Sequence, residues 1–195
     1  MAFRREATQP MIAHGSVYLR AAERDDIPRF VSWLNDYRTS RTLGLRAPLS
    51  IPLEEQWFER MVASQGKDGY HFVACLVADG RPIGTISLME LDLFNGSAGL
   101  GISIGTEEDR NKGHGTDMLR ALLGFAFDFL RLERIWLDVY RMNEGARRVY
   151  ERVGFVHEGV LRHAIFREGR YLDLDRMSIL AAEWRASVEA DSGSA

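Results

Sequence analysis

A chain of 195 residues, 46% apolar and 27% charged, has the size and composition of one globular domain able to bury a sizeable core. Its net charge of −3 gives no electrostatic reason to bind nucleic acid or an anionic membrane, and no apolar run approaches the length of a membrane-crossing helix. The single cysteine, Cys75, rules out an internal disulfide; in the alternating run 72–78, with no base placed beside it, it reads as a buried strand residue.

Residues 1–15 are unpatterned and carry no hydrophobic stretch of a secretory signal, and 187–195 are small and polar. Both read as disordered tails around one domain spanning 16–186, and a cytoplasmic protein is expected. Within the domain, alternation at 17–21 predicts the first strand. Asp25 or Asp26 caps a helix with Ile27, Phe30, Val31 and Leu34 on one side. A loop over 37–49 follows, carrying Arg38, Arg41 and Arg46. Ser50-Ile51-Pro52 then opens a second helix with the apolar stripe Leu53, Trp57, Phe58, Met61 and Val62. Strands at 70–78 and 82–91 flank the hairpin signal Asp79-Gly80, and Asn95-Gly96 turns into a third strand at 98–105.

An acidic turn at 106–109 leads to Arg110-Asn111-Lys112-Gly113-His114-Gly115 and a long helix. Met118, Leu119, Leu122, Leu123, Ala126, Phe129 and Leu130 share one of its faces. A strand at 134–140, a short helix at 143–153 closed by Gly154, and a hairpin of 155–166 and 171–182 around Glu168-Gly169 complete the chain. A strand–helix–strand passage inside an otherwise antiparallel series predicts an α/β domain: a mixed, mostly antiparallel sheet with helices on both faces. The ligand cleft should lie at the carboxyl end of the parallel pair, beside Gly113.

The start of the long helix offers free main-chain amides preceded by glycines, a ready anion site. It is not a P-loop, because no Lys-Ser or Lys-Thr follows the glycines. Nor is it a dinucleotide fingerprint, whose third glycine is replaced by Met118. What stands after the strand is Arg110-x-x-Gly113-x-Gly115, which resembles the acyl-CoA pyrophosphate loop of the GNAT superfamily of N-acetyltransferases. One strand later, Asn143-x-x-Ala146-x-x-x-Tyr150-x-x-x-Gly154-Phe155 resembles the segment that completes the acetyl-CoA site in that family. Glu158-Gly159 and Gly169-Arg170-Tyr171-x-Asp173-x-x-x-Met177 are similar to the branch holding ribosomal-protein N-terminal acetyltransferases and spermidine acetyltransferase. The likeness covers 17–184 and is close after residue 98.

The resemblance implies a single-domain GNAT-like fold, splayed at the central parallel pair, that moves acetyl from acetyl-CoA directly to a primary amine. Arg110, Asn111, Lys112, Gly113, His114, Gly115 and Thr116 would surround the pyrophosphate, held on the amides of 112–115 with Arg110 pairing to phosphate. The His114 side chain reads as an exposed loop group. Leu100, Ile102 and Ile104 would line the pantetheine arm. Asn143 suits both a helix cap and a contact to that arm. Tyr150 suits both a core tyrosine and the acid for the leaving thiolate, and the family position favours the acid.

Relatives in this branch carry a glutamate at the start of the central strand, where this chain has Ala98-Gly99-Leu100. Glu90, with Asp92 behind it, is the next candidate base, beside the plain reading of a solvated strand end. The acceptor expected is a protein or peptide N-terminus or a small-molecule amine. The arginines of 37–49 speak against a polyamine and suit an acceptor bearing carboxylate or phosphate, such as a nucleotide-linked amino sugar. A homodimer fits the branch. The competing class is a non-catalytic acyl-CoA sensor, motivated by the missing glutamate and opposed by Tyr150.

Overall fold

The computed structural model describes residues 10–44 and 47–192, the side chains of the last two excepted; Arg46 lies outside the described residues. Eight strands form one sheet: β1 Ile12–His14, β2 Val17–Ala21, β3 Tyr70–Leu76, β4 Pro82–Asp92, β5 Ser97–Ile104, β6 Arg134–Tyr140, β7 Val156–Arg167 and β8 Arg170–Leu180, in the spatial order β1-β2-β3-β4-β5-β6-β8-β7. Every neighbouring pair is antiparallel except β5 and β6. That parallel pair runs only from Ser97↔Arg134 through Ala98↔Ile135 to Gly99↔Trp136, beyond which the strands are unpaired with each other. The mixed sheet read from the element order is the one observed, and it splays at the parallel pair as the resemblance implies.

Period-two alternation sends neighbouring residues to opposite faces and builds two layers. Phe72, Ala74, Ile86, Leu88, Ala98, Ile135 and Leu137 join the main core, which is closed by α4 (His114–Gly124), α5 (Glu144–Val153) and α6 (Ala181–Ser192). Val73 and Cys75 point the other way and pack with Phe30 of α1 (Ile27–Asn35), beside a small cluster of Ile27, Phe58 and Met61 that joins α1 to α3 (Ile51–Ser64). Cys75 is a fully buried free thiol, as its alternating neighbours predict.

Several local expectations are corrected. Residues 12–14 are not tail but an edge strand on β2, anchored by buried Ile12; three residues are too few to display a period. The segment 37–49 begins with a short helix, α2 (Tyr37–Ser40), whose cap is the Asp36 carboxylate accepting from the Arg38 amide. The last strand stops at Leu180, and α6 continues to Ser192 through the expected tail at 187. The anchors of α6, Ala181 and Trp184, are too sparse to give a helical stripe, and Trp184 packs 6.3 Å from Phe127, centroid to centroid. The long helix widens after Gly124 into a π-type turn, Phe125–Phe129, where the Leu130 amide reaches back five residues to the Phe125 carbonyl.

The stripe on α3 is also rotated from the one predicted. Leu53 and Val62 are 44% and 52% exposed, while the buried side runs Glu54, Phe58, Met61. Since α6 is held chiefly by one buried indole, Trp184→Ala is expected to destabilise the domain by about 3–5 kcal/mol. Thermal unfolding should then show a melting point lower by roughly 10 °C.

Candidate active site

The anion loop is set by two braces. Before it, Asp109 is 2% exposed and takes two hydrogen bonds of 2.8 Å from Arg81 and one of 3.0 Å from the Thr106 hydroxyl. The Arg81 guanidinium holds the Asp109 carboxyl below its usual range, ahead of the opposing effect of burial. After the loop, Ser16 donates from its amide and hydroxyl to Asp117, at 2.9 and 2.7 Å, and its oxygen lies 3.0 Å from His114 Nδ1. The His114 side chain is therefore a half-buried brace and not a loose loop group.

Between the braces, Asn111 (φ 59°) and Gly113 (φ 86°) both adopt the left-handed conformation, which asparagine tolerates better than most residues and glycine adopts freely. No side chain caps α4, and among the described residues the amides of 111–115 make no hydrogen bond within the protein. The first inward bonds are those of Thr116 and Asp117 to the Gly113 carbonyl, at 2.9 and 3.1 Å. Unpaired amides in a curved turn at a helix start form a concave positive site that fits a diphosphate. Arg110 departs from its expected part. Its guanidinium donates to Thr39 Oγ1 at 3.1 Å and to the Ile104 carbonyl at 3.4 Å, tying the loop to α2 and the end of β5.

The splay lies beside this loop. Leu100 is buried, and Ile102 and Ile104 pack on the main core, so the three side chains fix β5 while its edge toward β6 has no strand partner beyond Gly99. At the far end of β6, the Tyr140 hydroxyl is buried without a hydrogen-bond partner. Asn143 caps α5, its Oδ1 accepting from the Ala146 amide at 3.2 Å. The helix ends on Gly154 at φ 110°, where the amides of Gly154 and Phe155 both return to the Tyr150 carbonyl. Tyr150 is thus fixed at both main chain and ring, the ring 5.8 Å from that of Phe155. It is 9% exposed, and burial pushes its hydroxyl up to about 12.

On the opposite face of the sheet from α4, a cavity of about 570 Å³ lies between α1, α3 and the strands β3, β4 and β5. Trp33, Trp57, Phe30, Leu34, Leu49, Leu53 and Met89 give it an apolar, aromatic wall; Thr85, Ser87, Ser103, His71, Glu54 and Arg60 are its polar members. The rings interlock, with Phe30 6.2 Å from Trp33 and 6.5 Å from Trp57, and Trp57 5.8 Å from His71. Burial lowers the pKa of His71. The hairpin tip of β7 and β8 closes over the 37–44 segment: the Tyr37 hydroxyl donates to Glu168, and Arg167 donates to the Leu43 carbonyl at 2.5 Å.

Glu90 does not join this cavity. It sits exposed on the bulge of β4, at φ 50°, and adds to the charges that raise the pKa of Arg176. The stretch where the resemblance implies a glutamate is closely packed at Gly99. At Gly99 a Cβ would meet the Trp136 indole at 3.0 Å. That ring is covered in turn by Arg176, whose guanidinium carbon lies 4.1 Å from the ring centroid while two of its nitrogens bond Asp138 at 2.8 and 2.7 Å. The two described loop arginines are likewise outside the cavity lining: Arg38 pairs with Glu107 at 2.9 Å, and Arg41 is exposed.

The acidic and imidazole members of the cavity, Glu54 and His71, are not among the residues selected from sequence. Glu54 was legible in principle, as a carboxylate at i with Phe58 and Met61 at i+4 and i+7. His71 carries no such signal, because alternation within a strand does not say which face will line a hollow.

Residues 16–156 match the acetyltransferase (GNAT) domain family, and the chain belongs to it. It is 32% identical over 155 residues to the SPbeta prophage-derived uncharacterized N-acetyltransferase YokL of Bacillus subtilis, covering 80% of this chain and 84% of that one. It is 31% identical over 169 residues to the spermidine N(1)-acetyltransferase of Vibrio cholerae, covering 85% and 94%. The crystal structure of the Vibrio cholerae spermidine N-acetyltransferase in complex with CoA and spermine superposes with a TM-score of 0.81 at 28% identity, covering 87% of this chain and 98% of that one. The protein is an acetyl-CoA-dependent N-acetyltransferase.

The Arg81–Asp109 brace gives a pH-dependent expectation. The Asp109 pKa is lower folded than unfolded, so its stabilisation is complete above the unfolded value of about 3.9 and is lost as pH falls through the folded one. Asp109→Asn should reduce unfolding free energy at pH 7 by about 1–3 kcal/mol, the half-exposed Arg81 keeping this below the loss of a fully buried pair. Denaturant titrations of wild type and variant should begin to converge below about pH 4 and meet once pH has fallen through the folded value, and calorimetry at pH 7 should show weaker acetyl-CoA binding by the variant.

Proposed function

We propose that the enzyme transfers acetyl directly to a primary amine, with acetyl-CoA seated in the splay of β5 and β6 and its diphosphate on the amides of residues 112–115. The observation that carries this reading is the coincidence of two unpaired sets of main-chain groups: the β5 edge after Gly99 and the amides at the start of α4. Each alone is an ordinary gap in hydrogen bonding. Together they match a ligand with an extended amide arm at one end and phosphates at the other. Asn111, Lys112, Gly113, His114, Gly115 and Thr116 serve through the main chain. Leu100, Ile102 and Ile104 position the edge that meets the arm, and Asn143 holds the start of α5 beside it.

When bound, acetyl-CoA supplies an acetyl group already activated as a thioester. An amide of β5 near Leu100 or Ile102 donates to the carbonyl oxygen, where negative charge grows during attack. The amine needs a base. At a pKa of about 10.4, freeing it of its proton at pH 7 takes roughly 4–5 kcal/mol. Tyr150, with a hydroxyl pushed up to about 12, keeps its proton at any working pH and acts as a donor. A phenol near 12 is about 3.5 units weaker than a thiol near 8.5, so outright transfer would run uphill by about 5 kcal/mol. Tyr150 therefore works first as a hydrogen-bond donor to the departing sulfur, the same desolvation narrowing the gap by raising the thiol.

No covalent link to the enzyme is needed, in keeping with Cys75 being buried, where burial pushes its thiol pKa up. A polyamine acceptor is the second reading, favoured by the likeness to the spermidine enzyme of Vibrio cholerae. We further propose a cytoplasmic enzyme, on the strength of its unpaired buried thiol, that works as a homodimer, the state the resemblance implies. Tyr150→Phe should lower kcat by about 10²–10⁴-fold while leaving acetyl-CoA affinity within a few-fold. Thiol release and calorimetry measure the two, and full turnover by the variant would remove Tyr150 from the reaction.

A further inference from the structure

We propose that Glu54 receives the acceptor amine, and that the acceptor is a primary amine on an apolar or aromatic body. This rests on the acetyl-transfer reading above and names the second substrate's site within it. Glu54 is 4% exposed and lines the cavity over β3, β4 and β5. Among the described residues, no hydrogen bond or ion pair holds its carboxyl. Burial alone raises its pKa, with no opposing cation. A buried carboxyl without a partner is destabilising, and proteins keep one where a ligand supplies the partner.

The surroundings say which ligand. Among the described residues, the other groups in the cavity lining that carry or can take charge are Arg60, from α3 itself, and His71, from β3, whose pKa is lowered. From α1 come Phe30, Trp33 and Leu34, and from β4 and β5 come Thr85, Ser87, Met89 and Ser103. A polyamine brings two or more separated cations and would need a carboxylate for each. Here one carboxylate stands among indoles, with a guanidinium at the rim to repel a second cation. A single ammonium on an apolar body uses the whole site: its charge meets Glu54 and its body meets Trp33 and Trp57.

The cavity also reaches the reacting strand, since Ser87 and Met89 lie against Gly101 of β5. In the step proposed, one proton of the ammonium moves to a Glu54 carboxylate oxygen. The freed nitrogen lone pair forms the bond to the acetyl carbon as the carbon–sulfur bond breaks, and the sulfur takes the electron pair and a second proton from the nitrogen. One hydrogen remains on the amide product, and Glu54 passes its proton to water.

The test uses the full chain with acetyl-CoA and a panel of phenethylamine, hexylamine, leucinamide, putrescine and spermidine, read by thiol release, with amine binding measured by calorimetry. The expected result is a kcat/KM at least tenfold higher for phenethylamine or hexylamine than for spermidine. Glu54→Gln should lower it at least a hundredfold and abolish amine binding, with acetyl-CoA affinity within twofold. Glu54→Asp should restore part of the activity. The acid limb of the wild-type pH profile should lie above the ordinary carboxylate range and vanish in Glu54→Gln. Spermidine as the best acceptor, or a Glu54→Gln enzyme that keeps turnover and the acid limb, overturns the proposal while leaving acetyl transfer intact. A wild type that binds no acetyl-CoA and releases no thiol with any amine overturns both.

Discussion

The structure depends on a place where hydrogen bonding stops. Main-chain donors and acceptors inside a protein are almost always paired, yet β5 gives up its neighbour after Gly99. At the last paired position stands a bulky ring. The Trp136 indole lies on the bare Cα of Gly99, and Arg176 clamps it from above through its pair with Asp138.

The energetics divide between the two faces of the sheet. The α4 face is a continuous apolar core of fully buried Met118, Leu119, Leu122 and Leu123 against the strands, with Trp184 sealing one side. It carries most of the burial that folds the domain. The α1 and α3 face holds two small clusters and a hollow between them. Stability comes from one side and chemistry from the other, which lets a buried, unpaired carboxyl be tolerated where it acts.

Electrostatics sharpen the anion loop instead of filling it. Asp109 is neutralised by Arg81, Asp117 is occupied by Ser16, and Arg110 is spent on Thr39 and Ile104. These three charged neighbours are thus engaged with protein, leaving the main-chain amides and the exposed Lys112 as donors. The positions of the amides are fixed by the left-handed residues Asn111 and Gly113, so the site is formed before a ligand arrives.

The sequence by itself determined the order of the elements from β2 to β8 apart from the short α2, the parallel pair in a mixed sheet, the helix start at Gly113, the Asn143 cap and the Gly154 stop. Each of these is local: a period, a cap or a turn that needs glycine is decided within a few residues. It also carried the paired motifs that name the family. Tertiary structure alone decided the rest. Ile12 joined the core where the short β1 packs on α4, and Trp184 through Phe127, 57 residues distant in the chain, too remote for any local pattern to signal. Arg110 and His114 were bound by side chains from other segments, Glu90 was turned outward by a bulge, and Glu54 was rolled inward by the packing of α3. Which face of an element becomes a cavity wall depends on what lies across from it, and a one-dimensional pattern contains no record of that neighbour.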